Sequence, residues 1–235
     1  MSKSIRNAAQ TAAVITLAAA LLAGCAVTEQ RPVTQADMNC ALLGPDCSKL
    51  MSGAKGQASL RYVNPAAKWS QYNQVIIEPV TFWDDDTTKY STRQQQALVE
   101  YFQQSLANHL GKKFQVVNQP GPGVMKIQVA VVDFESATPV LRTISMVSPQ
   151  ARILSNIKYL VTDTFPFVGG AQAEGKITDA VSGHTLALAA DRRIGGGAVQ
   201  TGFQWKWGDA ENVMDAWSEQ MANRLTAWTT GAETP

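Results

Sequence analysis

Glu78, Asp133, Glu174, Asp179 and Asp191 are the side chains that could supply acid–base chemistry, as two carboxylates facing one bond do in a glycosidase. Glu174 and Asp191 make the best candidate pair for such a hydrolase. Counting outward from a turn at Val181-Ser182-Gly183-His184 places Glu174 roughly opposite Asp191–Arg192. A structural ion pair of Glu174 with Arg192 or Arg193 therefore competes with the catalytic reading. Trp205 and Trp207 lie two apart and share a face if they sit in a strand. They could stack on a sugar, line a groove, or anchor a helix against a sheet. Phe165-Pro166-Phe167 offers a binding patch if exposed. His109 and His184 are the sequence's two histidines, and neither has a His, Cys or carboxylate at ligand spacing. The sequence contains no GxSxG elbow or GxxxxGK[ST] loop. The expectation is a non-enzymatic protein without metal or cofactor.

Cysteine chemistry is more informative. Lys3 and Arg6 precede an apolar run, Ala12 to Leu22, which closes on Leu22-Ala23-Gly24-Cys25. A basic start followed by a short apolar stretch reads as a secretory signal over residues 1–24. The run is shorter than the roughly 20 apolar residues that span a bilayer. Leu22 to Cys25 resembles the lipobox of bacterial lipoproteins. That resemblance implies diacylglycerol on the Cys25 thiol, cleavage before it, and acylation of the new amine. Two or three buried chains, at about 0.8 kcal/mol per methylene, hold a protein firmly on a membrane. Ala26, where Asp would favour inner-membrane retention, points to the periplasmic face of the outer membrane. In that oxidising compartment the two remaining cysteines, Cys40 and Cys47, read as one disulfide, helped by a turn at Gly44-Pro45.

Without residues 1–24 the chain keeps 211 residues and a net charge of about −1. That balance argues against nucleic-acid binding, which needs a basic footprint. Residues 25–59 read as the lipidated cysteine, a flexible tether and the disulfide loop. Residues 60–235 read as one α+β domain. Tyr72 to Val80 reads as a buried strand, and Asp84-Asp85-Asp86 as a solvated loop. Ser91 and Gln94 form a capping-box pattern ahead of Leu98, Phe102, Leu106 and Leu110, with Gly111 as the stop. Val124 to Phe134 is the strongest strand, with Met125, Ile127, Val129 and Val131 on one face. Ser148 to Leu160 suggests a short helix. Ala171 to Asp179 and Thr185 to Ile194 suggest a hairpin, with Gly183 supplying the positive φ of its turn. Gly195-Gly196-Gly197 reads as a connector. Asp209 reads as the cap of a last helix whose face is Val213, Trp217, Met221, Leu225 and Trp228. The order β-α-β-β-(short α)-β-β-α predicts a single mixed or mostly antiparallel sheet with two main helices on one face.

Several stretches, in order, resemble a family of uncharacterised proteobacterial lipoproteins, domain-of-unknown-function family 3313. They are Tyr62-Val63-Asn64-Pro65, Tyr72 through Pro79, Pro120-Gly121-Pro122-Gly123 and Gly169-Gly170-Ala171 leading to Glu174. Asp179-Ala180, Ser182-Gly183, Asp191-Arg192-Arg193, Trp207-Gly208-Asp209 and Asp215-Ala216-Trp217 complete the set. The likeness covers roughly residues 60–228 and leaves the Cys40/Cys47 loop outside. It implies an envelope lipoprotein and carries over no catalytic residue. The leading expectation is a lipid-anchored module that binds an envelope protein or glycan. The alternative is a carrier of a small apolar ligand, with a pocket under residues 136–170 formed by Phe165, Phe167 and Val168.

Overall fold

The computed structural model describes residues 28–83, 91–135, 170–195 and 208–235. Among these residues nine strands form one mixed sheet. They are β1 (Glu29–Arg31), β2 (Met51–Ser52), β3 (Leu60–Val63), β4 (Gln74–Ile77), β5 (Thr81–Phe82), β6 (Gln115–Val116), β7 (Val124–Glu135), β8 (Gly170–Asp179) and β9 (Thr185–Ile194). The main path runs β2-β3-β9-β8-β7-β4-β6, with β1 on β9 and β5 on β7. β4 pairs in parallel with both β6 and β7, while β7, β8, β9 and β3 are antiparallel. Among the described residues two α-helices, α1 (Thr92–Leu110) and α2 (Gly208–Thr230), complete an α+β fold with a single sheet.

The helices cover one face because their apolar residues recur every three or four positions. α1 buries Leu98, Phe102, Leu106 and Leu110, and α2 buries Val213, Met214, Trp217, Leu225 and Trp228. They meet Met125, Ile127, Val129 and Val131 of β7 and Ile177 and Ala187 of the hairpin in one core. Ser91 caps α1 as its sequence pattern requires: its hydroxyl accepts from the Gln94 N–H, and Gln94 Oε1 accepts from the Ser91 N–H at 3.1 Å. Gly111 ends α1 with φ −64°, so the stop does not use the left-handed region expected of it. α2 starts one residue before the expected cap. Asp209 therefore lies inside its first turn, fully buried, in contact with Gly195, where a Cβ would stand only 2.3 Å from Asp209 Oδ1. The helices are joined by Tyr101 Oη and Ser105 Oγ, which donate to Asp215 at 2.8 and 2.5 Å.

The other face corrects the tether expected over residues 25–59. Residues 28–59 are folded onto the sheet: β1 pairs with β9, and β2 pairs with β3. Between them, residues 33–50 form a clasp whose Val33, Leu43, Cys47 and Leu50 pack on Leu60, Leu188 and Ala190. Cys40 and Cys47 are joined by a disulfide, as expected, with their Cα atoms 5.7 Å apart. Three alternate residues of β8 hold the clasp by its main chain. Gln172 Nε2 donates to the Asp37 carbonyl at 2.8 Å, and Lys176 Nζ donates to the Leu43 carbonyl at 3.2 Å. Between them, Glu174 Oε1 accepts the Asn39 N–H at 2.8 Å and the Cys40 N–H at 3.4 Å.

Candidate functional site

The candidate site is a cleft between α2 and the helix-side face of β3, β8 and β9. Side chains of a strand alternate between faces, so Ala173, Gly175, Ala187 and Ala189 all turn toward α2. Four small residues in adjoining rows leave space that neighbouring Leu or Ile would fill. The space is an apolar cavity of about 140 Å³, walled by Phe102, Trp217, Met221, Leu225 and Trp228. Phe102 and Trp217 stack at a tilt with centroids 5.9 Å apart, and Trp69 steadies Trp228 from behind at 4.8 Å.

Polar groups gather at the mouth. Arg61 of β3, in register with Ala189, stands with its guanidinium 5.9 Å from the Trp228 ring centroid. Arg224 of α2 donates from Nη2 to the Gly56 carbonyl at 3.0 Å and lies 3.9 Å from Glu233. Burial, and next the like charge of Arg224, hold the Arg61 guanidinium below the ordinary arginine range. Gln220 Nε2 donates to the same Gly56 carbonyl at 2.6 Å and fixes the rim.

Asp191 forms the closed, polar end. It accepts the Trp217 indole N–H and the Arg193 Nε–H, each at 2.8 Å, on Oδ2. Its Oδ1 accepts from the Ser59 N–H at 2.9 Å and from Gln30 Nε2 at 2.5 Å. Arg193 also reaches Thr28 Oγ1 at 3.2 Å and Gln220 Oε1 at 3.0 Å. One carboxylate thus ties β1, β9, the loop before β3 and α2 together.

This network overturns two sequence expectations. The Glu174 ion pair with Arg192 or Arg193 is not formed. Glu174 pairs in register with Ala190, not Asp191, and that shift of one residue puts it on the clasp face. There backbone N–H groups occupy its Oε1, while Arg193 on the helix face bonds Asp191. Arg192 shares the clasp face and stands in register with Gln172. The hydrolase pair fails for the same reason: Glu174 and Asp191 point to opposite sides of the sheet and cannot face one bond. His109 lies in the last turn of α1, and His184 precedes β9. Among the described residues, no group of three His, Cys, Asp or Glu side chains could hold a metal ion. Cys25, the signal segment, the Asp84–Asp86 loop, the Ser148–Leu160 helix, Phe165, Phe167, Val168, Trp205 and Trp207 lie outside the described residues.

Sequence reading missed the cleft, although its signature was present. Alternating small residues in both hairpin strands, opposite a helix bearing Trp217 and Trp228, leave room between sheet and helix.

The DUF3313 family profile matches residues 43–221. The chain belongs to that family, whose description is a protein of unknown function. The match begins inside the disulfide loop, between Cys40 and Cys47, so the family domain reaches further toward the N-terminus than the stretches singled out in the sequence. No curated protein matches the chain. Among solved structures, the DUF3313 chain is similar to the PelC dodecamer protein of Paraburkholderia phytofirmans. The identity is 8%, the TM-score 0.37, and 68% of this chain and 95% of that one are covered. It is also similar to a Xanthomonas campestris protein of family DUF330, at 10% identity and TM-score 0.39, covering 72% and 92% of the two chains. Likenesses at this level say nothing of activity.

Proposed function

We propose that this DUF3313 protein is a lipid-anchored envelope lipoprotein, held through Cys25 at the periplasmic face of the outer membrane, whose domain binds a small apolar ligand without transforming it. The observation that carries the ligand reading is the cleft, with its apolar walls and a floor of small residues. On this reading the binding surface is the space under α2, while Phe165 and Phe167 lie outside the described residues. The anchor reading rests on the Leu22-Ala23-Gly24-Cys25 motif. It gains meaning from the folded N-terminal segment. Thr28, bonded to Arg193, lies three residues after Cys25, so the anchor can stand no further than about 11 Å from it. The domain would ride close to the bilayer with the Arg193–Gln220 side of the cleft nearest the lipid.

The test is binding of the neutral fluorophore N-phenyl-1-naphthylamine to the full mature chain and to Ala189→Leu, which fills the cleft floor. Saturable binding lost in Ala189→Leu is the expected result; no saturable binding by the native chain would refute the ligand reading. Separately, Cys25→Ser should shift the protein from the membrane to the soluble fraction, and persistence in the membrane would refute the anchor.

A further inference from the structure

We infer that the cleft selects a single-chain amphiphile with an anionic head, its tail among Ala187, Trp217 and Leu225 and its head between Arg61 and Arg224. The inference deepens the apolar-ligand reading above and rests on it. The cavity of about 140 Å³ is close to the ~150 Å³ apolar space that suffices for benzene. It takes a segment of a few carbons, and a longer chain continues out of the mouth. A neutral hydrocarbon would use nothing at that mouth, yet two guanidinium groups border it.

Their positions are not explained by packing alone. Arg61 is partly buried against the Trp228 ring, and among the described residues no carboxylate lies within ion-pair distance of it. Arg224 has a carbonyl and a carboxylate near it, but Glu233 is 3.9 Å away with its side chain 61% exposed. Two like charges beside an apolar cavity repel more than they would in water. A carboxylate or phosphate head between them relieves that repulsion and accepts the planar N–H forks of both groups. The tail then follows the apolar walls inward, so head and tail are bound by one continuous surface.

The experiment displaces N-phenyl-1-naphthylamine from the full mature chain with decanoate, decyl phosphate and decanol, all below micelle formation. At least one anion should bind about tenfold or more tightly than decanol, the size of one charge-assisted contact. Arg61→Gln should erase that preference and Arg61→Lys should keep part of it, each read as the ratio of anion to decanol affinity within the same variant. Preference for decanoate or for decyl phosphate alone supports the inference and identifies the head. Equal displacement by all three overturns it but leaves the apolar-ligand reading standing. A preference that survives in both Arg61→Gln and Arg224→Gln also overturns it. Failure of the native chain to bind the fluorophore or any decyl compound overturns both readings.

Discussion

Reducing the Cys40–Cys47 bridge should lower the unfolding free energy by about 2.5 kcal/mol. The two cysteines are seven positions apart, and the chain-entropy cost of closing a loop of about eight residues gives that value at room temperature. Entropy of this kind appears as stability only if folding orders the loop. In a free tether the bridge restricts the folded and unfolded chains alike, and the effect vanishes. The structure orders the loop completely: Leu43 is 0% exposed, Cys47 is 8% exposed, and both pack on Leu60 and Leu188. Leu43→Ala supplies an independent measure and should cost about 2–5 kcal/mol, the usual range for an emptied core leucine. Both changes act on the same clasp, so together they should cost less than their sum. The assay is urea unfolding followed by tryptophan fluorescence, with and without TCEP. The expected sign is a lower midpoint, with hydrogen exchange accelerated first over residues 33–50. If complete reduction leaves the midpoint unchanged and Leu43→Ala is neutral, residues 33–50 are not a folded clasp and the reasoning fails.

Asp191→Ala should destabilise the domain by about 3–5 kcal/mol, because it leaves the largely buried Arg193 guanidinium without its counter-charge and the Trp217 indole N–H without its acceptor; chemical denaturation measures it. Ser91→Ala should cost about 1 kcal/mol of stability through loss of the α1 cap, read as faster hydrogen exchange in the first turn. The Ser182 backbone N–H, helped by the Ser182 and Tyr72 hydroxyls, holds Asp179 below the usual carboxylate range. A lowered folded value means stability that is present at neutral pH and lost as pH falls through it, below about pH 4. Asp179→Asn should therefore flatten the stability profile in that acid window, and an unchanged profile would contradict the assignment.

The parts legible in the sequence are those whose side chains alone report the environment. α1 and α2 show apolar residues every three or four positions, and the hairpin shows two strands around Gly183, whose φ is +72°. The disulfide was legible because Cys40 and Cys47 flank a turn at Gly44-Pro45, and they are the pair left once Cys25 is set apart by its likeness to a lipobox. The clasp was illegible because its attachment uses main-chain groups. A run such as Asp37 to Leu43 carries no periodic pattern when Gln172, Glu174 and Lys176 grip its carbonyls and N–H groups.

The same three residues explain why the carboxylates invited a wrong reading. A Gln-x-Glu-x-Lys alternation on β8 reads as a solvated face, and a solvated Glu174 would find the nearest arginine. In the fold that face is covered, with Gln172 5% exposed and Glu174 0% exposed. A buried carboxylate gains more from aligned backbone N–H donors, which are already ordered, than from a long side chain that must be immobilised to reach it. Glu174 therefore serves the clasp, and Asp191, one register position away on the other face, serves α2. The sheet keeps these two acids apart by alternation alone, and Arg61 and Arg224 stand as charged groups at the mouth of the cleft.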